Sequence, residues 1–100
     1  MMRVVKSEVY QAWIDGLRDQ AGRARVLMRV DRLIHGNPGD YRNLTEGVSE
    51  LKIDVGPGYR VYYARRGDHL LLLLGGGSKA TQAKDIAKAL DLNREFEDHS

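Results

Sequence analysis

The stretch SELKIDVGPGYRVYYARR, residues 49–66, decides the fold because it reads as the two strands of a β-hairpin. Two runs of alternating apolar residues flank Gly56-Pro57-Gly58, and Pro followed by Gly suits the second and third positions of a type II turn. One side of the hairpin is then wholly apolar. A loop of these three residues predicts the cross-strand pairs Val55 with Tyr59, Ile53 with Val61, and Leu51 with Tyr63.

The opposite side of this hairpin is polar. A two-residue loop would shift the pairing by one residue and mix charge into the apolar side, so the three-residue loop is our prediction. We therefore expect one face packed against a core and one charged face. The charged side carries Glu50, Lys52, Asp54, Arg60 and Tyr62.

A third strand is predicted at residues 70–74, after the two-residue turn Gly67-Asp68. This strand is apolar on both sides, as expected of a strand covered on both faces of its sheet. Leu71 and Leu73 fall on the charged side, where the C-terminal helix is expected to shield them. The turn predicts the pairs Ala64 with Leu71, Tyr63 with Leu72, Val61 with Leu74, and Arg60 with Gly75.

Length and composition indicate one small globular domain. The chain has 100 residues, 42% hydrophobic and 30% charged, which suits a single core. We expect one domain over residues 1–100, with 91–100 extending the last helix or forming a flexible tail. No apolar run is long enough to cross a bilayer and no signal peptide is recognisable, so a cytoplasmic location is expected. Cysteine is absent and the three histidines lack metal-ligand spacing, so we expect no metal and no cofactor.

The net charge of +2 understates the basic character of the chain. Four acids and one base lie from Asp91 onward, so residues 1–90 hold 15 bases against 10 acids, a balance of +5. Such a body attracts polyanions such as nucleic acid, although an ordinary solvated basic surface explains the same count.

The remaining elements follow from apolar spacing and capping residues. Residues 3–5 predict a short strand, and Ser7 caps a helix that Gly16 weakens and Gly22 ends. A second helix, Arg23 to Ile34, carries four arginines that would contact a nucleic-acid backbone or form a solvated face. Residues 35–40 break this helix. A strand near residues 41–44 follows, and the last helix has the apolar stripe Ala83, Ile86, Ala87, Ala89 and Leu90.

The glycine run Gly75-Gly76-Gly77 precedes the last helix, with Ser78 or Thr81 as its cap. The spacing of a phosphate-binding P-loop is absent, so that function is rejected. Because glycines carry no side chains, they are expected to leave open space beside Arg60, with Lys79 and Gln82 at its rim.

Several segments occur in an order and spacing that resemble the RelE/ParE toxin superfamily, within its HigB-like group of addiction module killer proteins. The resemblance covers the chain from the first strand to about Leu92. The segments are Gly36-Asn37-Pro38-Gly39-Asp40, Gly47-Val48-Ser49-Glu50-Leu51, Gly56-Pro57-Gly58-Tyr59-Arg60-Val61-Tyr62-Tyr63, Gly75-Gly76-Gly77-Ser78-Lys79-Ala80-Thr81-Gln82 and Asp85-Ile86.

This resemblance implies an α/β (α+β) domain in which an N-terminal helical hairpin packs on a mostly antiparallel sheet of 4-5 strands, followed by a C-terminal helix. It also implies a toxin neutralised by a cognate antitoxin, often a helix-turn-helix protein that brings the pair to operator DNA. RelE-like and HigB-like members cleave messenger RNA on the ribosome, where the 2′-hydroxyl attacks the adjacent phosphate without a metal. ParE-like members instead inhibit DNA gyrase, and a degenerate toxin that keeps only its antitoxin interface is a third possibility.

The resemblance also implies roles for individual residues. Arg60 matches the hairpin arginine of the family and would clamp the phosphate, unless it only pairs with Asp54 or lies on the surface. Lys52 would accept the proton if neighbouring cations favoured its neutral form, the alternative being a solvated strand charge. Lys79 would stabilise the phosphorane or the leaving group, or only favour the turn into the helix.

Two further positions are candidate RNA contacts. Gln82 would contact RNA or bond locally at the start of the helix. Tyr62 would stack on a base or, as we favour, pack under the neighbouring helix. Glu50 would take a proton or orient Lys52.

The chain departs from better-known members in two respects. The arginine and later tyrosine that RelE itself carries in its C-terminal region are not reproduced around Lys79 and Asp85. No histidine falls on the charged face, although some ribosome-dependent toxins use one. The resemblance therefore leaves the acid and the base of the reaction unassigned.

Overall fold

The computed structural model describes residues 2–96, which form an α+β fold of three helices and one five-stranded sheet. This confirms the predicted class, including the C-terminal helix. A 3₁₀ turn, Lys79–Thr81, precedes the last helix. In chain order the elements are β1 (Arg3–Lys6), α1 (Glu8–Gly16), α2 (Gln20–Ile34), β2 (Tyr41–Asn43), β3 (Val48–Ile53), β4 (Tyr59–Arg66), β5 (Leu70–Ser78) and α3 (Gln82–Glu95).

The sheet has the strand order β1-β5-β4-β3-β2. Strand β1 runs parallel to β5, whereas the other three pairings are antiparallel, so the sheet is mixed but mostly antiparallel. The parallel pair is possible because α1, α2 and the strands that follow carry the chain away from β1 before β5 returns beside it. Strands β1 and β2 form the two edges.

The sheet has a helix-covered core on each side. On the side that we call the front face, α1 and α2 cover an apolar surface that includes Leu51, Val61 and Leu73. On the side that we call the back face, α3 covers a smaller apolar surface that includes Val48, Leu70 and Leu72. Period-two alternation along each strand separates these two sets of side chains.

The N-terminal helices begin at side-chain caps. The hydroxyl of Ser7 accepts the Tyr10 N–H at 3.0 Å, as predicted, and the Asp19 carboxylate accepts the Gly22 N–H at 3.0 Å. The prediction that α1 ends at Gly22 is wrong, because α1 ends at Gly16 and Gly22 lies inside α2. A side chain at position 22 would overlap the Asp19 carboxylate and the Tyr59 ring, so this glycine permits close packing rather than ending a helix.

The loop of the first hairpin is longer than predicted. Residues 54–58 connect β3 to β4, and Ile53 pairs with Tyr59 instead of Val61. The chain turns about Gly56 and Pro57, since the Gly58 N–H donates to the Val55 carbonyl at 3.0 Å and Gly56 has φ +52°. Because the pairing is displaced by two residues, every side chain keeps its predicted face.

The second hairpin differs by one residue, which has a larger consequence. Residues 67–69 form the loop, and Ala64 pairs with Leu72 instead of Leu71. A one-residue shift exchanges the faces, so Leu71 and Leu73 lie on the front face, and the prediction that the C-terminal helix shields them is wrong. A β-bulge at Leu74 shifts the pairing again, and Arg60 lies opposite Gly77 rather than Gly75.

The glycine run belongs to β5, which continues to Ser78. Helix α3 starts after it, and its buried face differs from the predicted stripe. Ala83 and Ala87 are exposed, whereas Asn93 is buried and Phe96 packs on the back-face core. The predicted helical extension beyond residue 90 is present to Glu95, and the rest of the predicted tail, residues 97–100, lies outside the described part of the chain. Across residues 2–96, no helix has the length and apolar character needed to cross a membrane.

Candidate functional site

The back face changes from apolar to charged toward the hairpin loop and the start of α3. Strand register produces this arrangement, because Lys52 pairs with Arg60 and Glu50 pairs with Tyr62, and all four share one face. Strand β2 adds Arg42 opposite Glu50. We call the following six residues the polar cluster: Arg42, Glu50, Lys52, Arg60, Gln82 and Asp85.

Glu50 is the buried centre of the polar cluster, with 0% of its surface exposed. Its Oε1 accepts a hydrogen bond from Arg42 Nε at 2.8 Å, and its Oε2 accepts one from Gln82 Nε2 at 2.8 Å. Burial by itself would raise the pKa of Glu50, but these hydrogen bonds and the Arg42 charge outweigh it and lower the pKa below the ordinary value. Glu50 therefore stays ionised and anchors its neighbours, which argues against the role of proton acceptor.

Arg60 lies beside this carboxylate and is only 5% exposed. Its Nη1 donates to the Tyr59 carbonyl at 3.0 Å. Its Nε lies 4.0 Å from Glu50 Oε1, and Nη1 lies 4.0 Å from Asp54 Oδ1. Both distances exceed hydrogen-bond length, and Nε is buried without a hydrogen-bond partner among residues 2–96. The guanidinium is thus held between two carboxylates by charge, and its hydrogen-bonding capacity is only partly used.

Lys52 lies directly across from Arg60 on β3 and is half-buried. Its backbone is fixed on both sides, because its N–H donates to the Asp40 carbonyl at 3.0 Å and its carbonyl accepts from Arg29 Nη1 at 2.9 Å. The structure confirms that Lys52 and Arg60 share one face, but it makes them a direct cross-strand pair, whereas the predicted register placed Asp54 opposite Arg60.

Gly77, on the other side of Arg60, makes room for α3. A Cβ at this position would overlap the Asp85 carboxylate, and Thr81 Oγ1 lies beside it and donates to Asp85 Oδ2 at 2.5 Å. On the front face, the Trp13 ring occupies the space that a side chain at the neighbouring Gly76 would need. The expectation of open space beside these glycines is wrong, because α1 and α3 use it for close packing.

Lys79 is exposed at the rim of the polar cluster. Its N–H donates to the Gly58 carbonyl at 2.8 Å and ties the start of α3 to the hairpin loop. A side chain at Gly58 would lie 3.5 Å from both Arg60 Nη1 and Lys79 Cβ, so these two residues border the same glycine. Gln82 is half-buried and its amide is engaged with Glu50.

Tyr62 is completely buried beneath α3, with 0% exposure. Its ring has no free face for a base, so the RNA-stacking interpretation is corrected in favour of packing. Burial raises the pKa of Tyr62, and the adjacent Glu50 carboxylate raises it further. This phenol remains neutral at physiological pH.

Sequence reasoning missed Arg42 and Asp85 as members of the polar cluster. The position of Arg42 depends on β2 pairing with β3 in one register, and Asp85 depends on how closely α3 approaches Gly77. For Asp85, the available signal was the segment Asp85-Ile86, one of those on which the resemblance was based. In the described part of the chain, no group of three or more His, Asp or Glu side chains could hold a metal ion.

The basic helix α2 is only partly available to a ligand. The Arg29 guanidinium donates hydrogen bonds to the carbonyls of Lys52, Pro38 and Asp40, at 2.9 to 3.1 Å. Arg23 donates to the Ile14 carbonyl at 3.1 Å. Arg25 and Arg32 are exposed. Arg23 and Arg29 therefore bond to backbone carbonyls, a role that neither prediction for these arginines included.

Comparison with known proteins gives one informative relative. No protein-family model matches the chain. An uncharacterized protein from Haemophilus influenzae (strain ATCC 51907 / DSM 11121 / KW20 / Rd) is 41% identical over 87 residues, which span 87% of this chain and 88% of that protein. The chain belongs to the same family as this protein. The similarity covers nearly the full length of both chains, and it assigns no activity to either.

Proposed function

We propose that this protein is the toxin of a type II toxin–antitoxin module and acts as a ribosome-dependent endoribonuclease of the HigB-like group. The support comes from where the resembling segments lie. Those at residues 47–51, 56–63 and 75–82 contribute Glu50, Arg60 and Gln82 to one polar cluster. Segments that are distant in the chain thus meet at the candidate site.

The observation that carries the proposal is the state of Arg60. This arginine is almost buried, is charge-paired at 4.0 Å with Glu50 and Asp54, and hydrogen-bonds neither. Asp54 is on the loop and its side chain is 76% exposed, so a phosphate can replace it beside the guanidinium. Glu50 stays in place and fixes the other side. A planar arginine fork prepared in this way suits a phosphodiester with two oxygens.

The nucleophile, the phosphorus and the leaving group of the proposed reaction all belong to the RNA. The 2′-oxygen attacks the adjacent phosphorus, the bond from phosphorus to the 5′-oxygen breaks, and the products carry a 2′,3′-cyclic phosphate and a 5′-hydroxyl. A base takes the 2′-hydroxyl proton, and an acid returns one to the leaving oxygen. Arg60 would offset the charge of the phosphorane, Lys52 would take the proton, and Lys79 at the rim would assist the leaving oxygen.

The partners follow from the same proposal. They are a cognate antitoxin of the helix-turn-helix class, the ribosome with its messenger RNA, and operator DNA reached only through the antitoxin. The activity would belong to the cytoplasm, where translating ribosomes are found.

A second candidate function is inhibition of DNA gyrase by a ParE-like toxin without catalysis. The burial of Arg60 favours it, because an arginine that is 5% exposed and faces two carboxylates also serves as a structural charge. In that case the polar cluster would only hold α3 on the sheet.

The experiment that separates the two is bacterial cell-free translation with added protein, with messenger RNA 5′ ends mapped in the presence and absence of ribosomes. Wild type and Arg60→Ala are compared, with Arg25→Ala on the exposed side of α2 as the matched control. Circular dichroism melting shows that each variant is folded.

The ribonuclease proposal expects ribosome-dependent cuts with wild type and Arg25→Ala, and their loss with Arg60→Ala. Intact messenger RNA and unimpaired translation with folded wild type would overturn it. A gyrase supercoiling assay on the same samples then tests the second candidate.

A further inference from the structure

A pocket of about 190 Å³ opens on the front face, between strands β2–β4 and the segment that joins α2 to β2. It is separate from the polar cluster, which lies on the back face. Three polar residues form its floor, Asn43, Ser49 and Tyr63, which occupy one row across three adjacent strands. Such a row presents amide and hydroxyl groups in a plane.

The floor keeps hydrogen-bonding groups for a ligand. Ser49 Oγ donates to Asn43 Oδ1 at 2.8 Å, which fixes the amide and leaves its NH₂ group as a donor toward the pocket. Tyr63 is only 5% exposed, and burial raises the pKa of its hydroxyl, while a hydrogen bond with Ser49 opposes this shift. A ligand with acceptors along a flat edge fits this surface.

The opposite wall is apolar and rigid. It includes Leu33 from the last turn of α2 and Pro38 from the following loop. Arg29 holds this loop by donating to the carbonyls of Pro38 at 3.1 Å and Asp40 at 3.0 Å. The pocket is therefore formed before any ligand arrives, which lowers the entropic cost of binding.

An aromatic ring and a guanidinium stand at the mouth. Tyr41 is 44% exposed and, with Leu27 and Met28, is one of the exposed large hydrophobic residues within residues 2–96. Arg65 is exposed, and only its Nε is bonded within residues 2–96, to the Gly67 carbonyl at 3.2 Å. Proteins commonly bind single-stranded nucleic acid by stacking a base on an exposed aromatic side chain while a nearby arginine binds the phosphate. Tyr41 and Arg65 could act in this way, since the terminal nitrogens of Arg65 are free within the described part of the chain.

We propose that this pocket binds the base of a single-stranded nucleotide, with Tyr41 stacked on the base, the Asn43 amide on its edge and Arg65 on its phosphate. The proposal deepens the ribonuclease function and rests on it for its substrate. Strand β2 is a sheet edge, with Tyr41 and Asn43 on the front face and Arg42 on the back. One RNA strand crossing this edge would contact both the pocket and the polar cluster.

Nuclear magnetic resonance of the labelled full chain tests the pocket without any cleavage. The probes are the four ribonucleoside 5′-monophosphates at millimolar concentration, with ribose 5-phosphate as the control that lacks a base. The variants are Tyr41→Ala, Tyr41→Phe and Arg60→Ala. Tyr41 lies on an exposed edge strand, and dispersed amide spectra verify that each variant is folded.

The expected result is a shift of the Asn43 side-chain amide and of Ser49 with nucleotides, but not with ribose 5-phosphate. Tyr41→Ala should weaken binding about fivefold or more, whereas Tyr41→Phe keeps it, because stacking is worth roughly 1–3 kcal/mol per base. Equal shifts with ribose 5-phosphate would reduce the pocket to an anion site and overturn the proposal. So would unchanged affinity in Tyr41→Ala, or no shifts at all.

Arg60→Ala separates this proposal from the ribonuclease function. It should lose RNA cleavage and keep the nucleotide shifts. If nucleotides shift the pocket resonances but wild type cleaves no RNA, the proposed base-binding pocket is supported and the proposed ribonuclease function is contradicted. If wild type cleaves RNA but nucleotides cause no shifts, the ribonuclease function is supported and the base-binding pocket is contradicted.

Discussion

The two faces of the sheet are built differently although both are covered by helices. The front face is apolar beneath α1 and α2, where the Trp13 ring fills the space over Gly76, and it becomes polar toward the β2 edge, at Asn43 and Ser49. The back face is apolar over only half its length and then holds a fully buried carboxylate with two arginines near it. Burying an ion pair costs desolvation free energy, and apolar side chains of similar volume usually stabilise a fold as well or better. Stability alone therefore does not explain the polar cluster.

Truncating the apolar layers should produce the largest effects. Leu73→Ala on the front face and Leu72→Ala on the back face should each lower the free energy of unfolding by about 2–5 kcal/mol, because each removes a buried side chain from a covered core. Urea unfolding measures both. Leu27→Ala, at 39% exposure on α2, is the control and should change little. A loss at Leu72 as small as that of the control would mean that α3 does not cover the back face.

Alanine substitutions at Gly76 and Gly77 compare how well the front and back faces tolerate an added side chain. Gly76→Ala should cost about 1–3 kcal/mol, because its Cβ overlaps the Trp13 ring in a closed core. Gly77→Ala should cost less, since Asp85 is in the first turn of α3 and can move outward. Thermal unfolding measures both, with Gly16→Ala as the control because nothing lies within 4 Å of the added carbon. A larger loss at Gly77 would contradict the account of the back face.

The pH dependence of stability in Glu50→Gln should show how much the charge of the Glu50 carboxylate contributes to the free energy of unfolding. The folded-state pKa of Glu50 is below its unfolded value, so the ionised carboxylate contributes stability above the unfolded pKa near 4.5 and loses it as pH falls through the folded value. The variant should be about 1–2 kcal/mol less stable at neutral pH, and the gap should narrow below pH 4.5.

Urea unfolding at a series of pH values measures this gap. Asp68→Asn, in the exposed loop before β5, also removes a carboxylate, but not a buried one, and is the control. A gap that stayed constant into acid would show that the charge of Glu50 contributes nothing.

The smallest effect is expected at the far end of α3. Arg94 pairs with Glu46 and Asp91 in solvent, so Arg94→Ala should leave the unfolding midpoint nearly unchanged. Arg66→Ala should lower it measurably, because Arg66 donates to the Asn93 and Phe96 carbonyls and lies 5.2 Å from the Phe96 ring centre. Melting curves in low and high salt compare the two. Equal effects would contradict the stabilising role of Arg66 at the end of α3.

The sequence predicted faces better than registers. Alternation in β3 and β4 put Lys52 and Arg60 on one side, and a two-residue error in the loop did not alter this because strands repeat every two residues. The one-residue error at Gly67 exchanged Leu71 and Leu72, since both are leucine and no local pattern distinguishes them. Turn length depends on φ values and hydrogen bonds that the sequence only suggests.

The candidate site was predictable only in part. Arg60 and Lys52 share a strand pair and follow from alternation, but Arg42 and Asp85 come from other elements. The burial of individual side chains was harder to predict. A tyrosine in a strand can lie under a helix or stay exposed and stack on a base, and the sequence does not distinguish the two. Tyr62 is the first and, in our proposal, Tyr41 is the second.

In the proposed ribonuclease function, the Arg60 guanidinium holds the scissile phosphate. The most direct test compares messenger RNA cleavage rates of wild type, Arg60→Lys and Arg25→Lys in the same translation reaction. Lysine keeps the charge but loses the planar fork, so Arg60→Lys should cleave about 100-fold more slowly with an unchanged melting temperature, while Arg25→Lys matches wild type. Cleavage by folded Arg60→Lys within about twofold of wild type would contradict the claim.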